Sequence, residues 1–162
     1  MAVRIYRTST AGSQTTWTWS GWVKRAKVSS GNSTLFMSTT DGNNVTQCYF
    51  DSGDDLRFFN YVSASTTGEL QTNRKFRDPA AWYHIVVNWD SSNASATDRI
   101  RLYVNGVEET SFSTDTQPGS SDPSDMNKSG SVISMGGHTL ASEYLDGELS
   151  HCHFIDGTIY GP

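Results

Sequence analysis

The run from Asp78 to Glu109 sets the tightest limit on what this chain can fold into. It reads Asp-Pro-Ala-Ala-Trp-Tyr-His-Ile-Val-Val-Asn-Trp-Asp, then a polar loop, then Arg-Ile-Arg-Leu-Tyr-Val-Asn-Gly-Val-Glu-Glu. Trp82 to Trp89 is apolar almost throughout, rich in β-branched and aromatic residues, and bounded by turn formers. It is too short for a typical helix, so it predicts a strand buried largely on both faces. Tyr83, Ile85, Val87 and Trp89 form its apolar face; Trp82, His84, Val86 and Asn88 form a mixed one. The next run alternates, with Ile100, Leu102 and Val104 on one side and Arg99, Arg101 and Tyr103 on the other, as in a strand with one wet face. Asn105-Gly106 supplies the positive-φ pair of a type I′ hairpin turn, and Val107 starts the return. The pattern places this region at the centre of an antiparallel sheet.

The rest of the chain has the same rhythm. A short strand is expected at Val3–Arg7 and another at Trp17–Lys24, with Trp17, Trp19, Gly21 and Val23 facing a core and Trp22 left on the opposite face. Strands at 34–38, 45–50 and 56–62 follow, divided by Ser-Gly and Asp-Gly turns. Residues 63–67 read as a loop and Glu69–Phe76 as a weaker strand. The polar segment Ser113–Gly130 is long enough to be either functional or mobile. Val132–Gly136 resumes the sheet. Gly147–Ile155 closes it, with Cys152 and Phe154 inward and His151 and His153 outward. The 162 residues are most simply one domain, 1–162, whose ending without a polar tail reads as a module of a longer polypeptide. Charged residues are 18%, the polarity coming from Ser, Thr, Asn and Gly, which suits strands and loops rather than helices.

Three ordered pieces carry a family resemblance. Trp-Tyr-His-Ile-Val-Val followed by Leu-Tyr-Val-Asn-Gly looks like the middle of a laminin-G-like or concanavalin-A-like jelly roll. Trp17-Thr-Trp-Ser-Gly-Trp-Val-Lys-Arg25 is similar to that family's early strand, and Tyr144-Leu-Asp-Gly-Glu-Leu-Ser-His-Cys-His-Phe-Ile-Asp-Gly157 to its late one. The expected fold is therefore all-β, a two-sheet antiparallel jelly-roll sandwich. The wording of the early and late pieces most resembles the version found in structural and tail proteins of aquatic bacteriophages. That resemblance implies a virion location and a non-catalytic attachment module engaging a host-surface glycan. The alternative it leaves open is a purely structural appendage whose partners are other virion subunits. Fibre proteins of this kind are often trimers, so a homo-oligomer is also within the expectation.

Several function classes lose support. Formal net charge is −5 and no basic cluster exceeds Arg74–Arg77, so a nucleic-acid partner is not expected. No apolar run approaches a membrane span, and Met1-Ala-Val-Arg-Ile-Tyr leads into a strand rather than a signal peptide. The related glucanases use Glu-X-Asp-X-X-Glu on one strand, a pattern absent here; the nearest set, Glu143, Asp146 and Glu148, does not share a face. No catalytic residue is assigned and enzyme activity is not expected. His151 and His153, if they share a strand face, make two metal ligands at most. His84 reads as a structural histidine.

Calcium is the metal the resemblance raises. The candidate oxygen ligands are the loop residues Asp41, Asp51, Asp54 and Asp55, and the pair Asp122 and Asp125, with no linear motif among them. For a sugar, Trp22 and then Tyr103 are the ligand-binding candidates, as aromatics expected outside the core. Cys48 and Cys152 read as two reduced, buried thiols, with a bridge between facing strands left open. Trp82→Ala and Leu102→Ala are both expected to open core cavities costing a few kcal/mol.

Overall fold

The computed structural model describes residues 4–162. Twelve strands form two antiparallel sheets. They are β1 (Ile5–Thr8), β2 (Thr16–Arg25), β3 (Ser33–Asp41), β4 (Asn44–Phe50), β5 (Asp55–Val62), β6 (Ser65–Lys75), β7 (Trp82–Asp90), β8 (Ile100–Val104), β9 (Val107–Glu108), β10 (Phe112–Thr116), β11 (Val132–Met135) and β12 (Gly147–Asp156). One sheet has the order β1-β11-β3-β4-β5-β6-β10, the other β12-β2-β7-β8-β9. This is the expected jelly-roll sandwich. Of the predicted opening strand, Val3 lies outside the described residues, and β1 begins at Ile5.

Burial follows the alternation read from the sequence. Trp17, Trp19 and Val23 of β2, Tyr83, Ile85, Val87 and Trp89 of β7, and Ile100, Leu102 and Val104 of β8 point into one core. The facing sheet contributes Phe36, Cys48, Phe58 and Leu70, which lie opposite one another across four strands. Trp17 stacks on Trp89 with ring centroids 6.4 Å apart and planes inclined 7°, so β2 and β7 are locked by their largest side chains. Each such side chain contributes roughly 1.5–3 kcal/mol relative to leaving it in water. Asn105 and Gly106 have φ of 52° and 82°, the expected I′ pair.

Two expectations change. Trp82 pairs with Lys24 on the outward row and is 38% exposed, so its removal opens no core cavity. The polar segment read as functional or mobile begins inside β10, and its remainder is packed into the sandwich. Met126 is fully buried in the core, and Ser124, Asp125 and Asn127 are buried with it. The segment is tied between the sheets: Trp17 Nε1 donates to Ser124 Oγ at 2.8 Å, Asp125 N to Thr46 Oγ1 at 2.8 Å, and Asn60 Nδ2 to the Pro123 carbonyl at 3.0 Å. Its polarity serves these bonds, because the inner row there ends in Ser38, Thr46 and Asn60 rather than in aliphatics.

Candidate functional site

Each sheet has one face turned away from the core. On the five-stranded sheet that face carries Ser20 and Trp22 of β2, Trp82 and His84 of β7, and Arg101 and Tyr103 of β8. Trp22, 42% exposed, lies against His84 at 5.0 Å between ring centroids, and Ser20 Oγ is 3.0 Å from His84 Nε2. His84 is thus held by a hydroxyl and a ring, the structural histidine expected. Tyr103 is on the same face but stands opposite Val86, one strand beyond the Trp22–His84 pair and a row away. The sequence candidates Trp22 and Tyr103 therefore share a face without converging on one point. The segment following β12 crosses this face: Thr18 Oγ1 donates to the Thr158 carbonyl and accepts from Tyr160 N.

The seven-stranded sheet's outer face is built differently. Its rows are Thr34–Tyr49–Arg57–Gln71 and Met37–Gln47–Phe59–Glu69. The residues between them in sequence, Cys48, Phe58 and Leu70, go to the core. Tyr49 and Phe59 meet edge to face at 6.1 Å, and the Arg57 guanidinium carbon lies 5.9 Å from both ring centroids. Arg57 also donates through Nε and NH2 to Glu69 Oε1, at 2.7 and 2.6 Å. Gln71 Nε2 reaches Asp51 Oδ2 at 3.1 Å and Asp55 Oδ2 at 3.2 Å. On the other side the loop between β11 and β12 leans over β3 and β4. Glu143 accepts from Gln47 Nε2 at 3.1 Å and from Asn32 Nδ2 at 3.0 Å. Planar polar groups with fixed orientations thus surround a partly exposed phenyl ring, Phe59. Burial pushes the Tyr49 hydroxyl up, Arg57 opposes that, and Glu143 and Asp51 add to it.

The acidic residues read as calcium candidates are already engaged within the chain, and of these Asp51 and Asp55 meet, at Gln71 Nε2. Asp41 caps its own turn, accepting from Asn43 N at 2.8 Å and Asn44 Nδ2 at 3.0 Å. Asp51 Oδ1 accepts from Gly53 N and Asp55 N. Asp54 is fully buried, bonded to Ser29 and paired with Arg25 at 3.0 Å and Arg77 at 2.9 Å. Burial would raise its pKa, but the Ser29 hydroxyl and amide and the two arginines outweigh that and hold it far below the usual carboxylate range. Asp55 is paired with Lys75. Asp122 caps Gly119 N, while Asp125 is enclosed and accepts from Ser38 and Thr40. Among the described residues no three His, Cys, Asp or Glu side chains gather as a metal-binding group. His151 and His153 are both exposed, as expected, but do not stand on a regular stretch of strand. A bulge lies between Ser150 and His153, and His151 sits at φ 49°, so strict alternation is lost. Glu143 lies in the loop over β3 and β4 of the seven-stranded sheet, whereas Glu148 is on β12 of the other, which disperses the nearest glucanase-like set. Both cysteines are free, Cys48 buried and Cys152 partly so.

With this geometry the family can be stated. The pattern described as the concanavalin A-like lectin/glucanases superfamily matches residues 2–159. The chain belongs to that superfamily. No curated protein matches it in sequence. Among solved structures it is similar to domain 4 of an extracellular arabinanase from Geobacillus stearothermophilus, solved with arabinotriose, at 16% identity and a TM-score of 0.67, over 95% of this chain and 66% of that one. It is similar to mouse laminin α1 domains LG4-5 at 7% identity and TM-score 0.66, over 94% and 39%. It is also similar to a heptameric SAP-like pentraxin from Limulus polyphemus at 18% identity and TM-score 0.59, over 93% and 68%. At these identities the superfamily likeness is one of fold.

Sequence reasoning missed the Arg57–Phe59–Gln71 face. The signal was present in Leu56-Arg-Phe-Phe-Asn-Tyr61, where aromatics occupy both faces of one strand: Phe58 packs inward and Phe59 and Tyr61 face out.

Proposed function

We propose that this chain is a non-catalytic glycan-binding module whose ligand lies on the outer face of the seven-stranded sheet, over Phe59 and between Gln47, Arg57 and Gln71. The observation that carries this reading is the Arg57 cluster. A guanidinium held by Glu69 against two aromatic rings, with amides on either side, offers an aromatic ring beside donors and acceptors of fixed direction. A pyranose or furanose ring needs that combination, since it stacks through its C–H face and is recognised through its hydroxyls. The arabinanase domain solved with arabinotriose, and a similar Bacteroides ovatus structure described as a putative carbohydrate binding protein, support it by analogy of fold.

A glycosidase needs a carboxylic acid kept protonated beside a carboxylate. The carboxyl that burial raises, Asp125, is 1% exposed and walled in by Ser38 and Thr40. That favours binding without cleavage. The phage-like wording of the early and late motifs supports a finer placement, an attachment module of a tail fibre, tail tip or capsid appendage engaging a host-surface glycan. A second reading, a virion spacer contacting neighbouring subunits or copies of itself, is favoured by the exposed Trp22, Trp82 and Tyr160 on the other sheet's side.

The test is binding of the purified chain to a broad panel of bacterial surface glycans, with Phe59→Ala, Arg57→Ala and Trp22→Ala beside the wild type. Binding that falls at least tenfold in the first two and stays within about twofold in Trp22→Ala supports the reading, a tenfold loss being about 1.4 kcal/mol. Silence across the panel by a folded chain, or loss in Trp22→Ala alone, contradicts it.

A further inference from the structure

We infer that the preferred ligand of this face is an amino-bearing glycan, a sugar with free protonated amines, and that uronate- or sialate-type acidic sugars are disfavoured. The inference rests on the glycan reading above and adds the charge class of the ligand.

The face and its rim hold four carboxylates, Asp51, Asp55, Glu69 and Glu143, against two cations, Arg57 and Lys75. Both cations are committed. Lys75 is paired with Asp55, and Arg57 spends Nε and NH2 on one oxygen of Glu69. Asp51 and Glu143 are left with neutral partners: backbone amides and Gln71 for the first, Asn32 and Gln47 for the second. No ion pair among the described residues includes either. Glu143 is held at Gln47 and Asp51 follows the end of the same strand, β4, with Tyr49 between them in sequence; beside burial, and against Arg57, both push the Tyr49 hydroxyl pKa up.

An acidic sugar is usually held by a free arginine fork. Here the Nε/Nη2 edge of the one arginine on the face is taken by Glu69, and an incoming carboxylate at the remaining edge would enter the field of two carboxylates that stand outside any ion pair among the described residues. An ammonium meets the opposite situation. It gains from both carboxylates and, over Phe59, from the negative face of the ring. The chain's net charge of −5 steers in the same direction at long range.

Calorimetry on the whole chain with matched tetramers tests this: free-amine glucosamine, its N-acetylated counterpart on the same backbone, and galacturonate. At mildly acid pH, where the amines are charged, the amine form is expected to bind about tenfold more tightly than the N-acetyl form, with galacturonate weakest. The preference should shrink with added salt. In Glu143→Gln the ratio of amine-form to N-acetyl-form affinity should fall to about threefold or less. Asp51→Asn serves as the second variant, its melting temperature reporting whether the loop survives. Glu108→Gln, the same charge change on the other sheet, is expected to leave the preference intact.

Equal or tighter binding of the N-acetyl or galacturonate form overturns the inference while the glycan reading stands. So does an equal fall in Glu108→Gln, which would mean bulk charge attraction. If neither these tetramers nor the wider panel bind, the glycan reading falls and the inference with it.

Discussion

Arg25 and Asp54 are the most exacting residues in the molecule. Both side chains are fully enclosed, joined at 3.0 Å, with Arg25 also donating to the Phe76 carbonyl at 2.6 Å and lying 4.5 Å over the Phe50 ring. Its Nε and the second terminal nitrogen find no partner among the described residues. Removing one member of such a pair strands a buried charge, so Asp54→Asn is expected to cost about 3–5 kcal/mol in urea unfolding. The sign with pH follows from the depressed pKa of Asp54. Its contribution is fully present above the ordinary carboxylate range near pH 4 and is lost as pH falls through the lower folded value. Stability of the wild type should therefore drop steeply in acid, and that of Asp54→Asn less steeply. Asp125 has the opposite sign: burial raises it, so its ionised form costs stability at neutral pH and the cost is relieved on acidification. Asp125→Asn should lose no more than about 1 kcal/mol at pH 7, since the amide keeps a hydrogen-bonding group without the buried charge. A loss as large as that of Asp54→Asn would remove this account of Asp125.

Among the elements, the strands with strict alternation were the legible ones. β2, β7 and β8 lie where the pattern puts them because one face of each is buried, and a slip of one residue would expose the whole apolar set. Leu102→Ala should still cost about 2–5 kcal/mol. Trp82→Ala should cost clearly less, because Trp82 stands on the outward row. Similar melting-temperature losses in the two would contradict that placement. Other elements were hidden for physical reasons. The loop read at 63–67 is only the two-residue turn Ser63-Ala64, with φ of 52° and 62°, and β6 starts at Ser65 rather than Glu69; a left-handed pair carrying neither Gly nor Asn gave no sign of so tight a hairpin. The 113–130 segment reads as functional or mobile because it is long and polar, yet its groups bond to the sandwich's buried hydroxyls and amides. The β12 bulge that separates His151 from His153 also left no mark in the sequence. Gly68 lies on the inner row, where an added Cβ would come within 2.8 Å of Ile100 and 2.9 Å of Trp89. Gly68→Ala should destabilise by about 1–3 kcal/mol through overpacking.

At the scale of the whole molecule, one sandwich presents two unlike surfaces. The five-stranded sheet shows isolated aromatics, of which Trp22 and Tyr103 could be read from alternation alone. The seven-stranded sheet shows an organised polar and aromatic face of which the sequence held one sign, the outward Phe59 and Tyr61, because its other members come from separate segments that only the strand order brings together. The carboxylates read from sequence as calcium ligands are bound to amides, hydroxyls and cations of the chain itself. Chelator is accordingly expected to leave glycan binding and melting temperature unchanged, and a drop in either would reassign those loops. The most direct test of the account is a map of backbone and side-chain amide chemical-shift changes in the isotope-labelled chain on titration with a bound oligosaccharide. Changes centred on Gln47, Arg57, Phe59 and Gln71, with Trp22 and Trp82 indole signals still, are the predicted result. Changes centred on Trp22, Trp82 and Tyr103 would contradict the account and move the site to the opposite sheet.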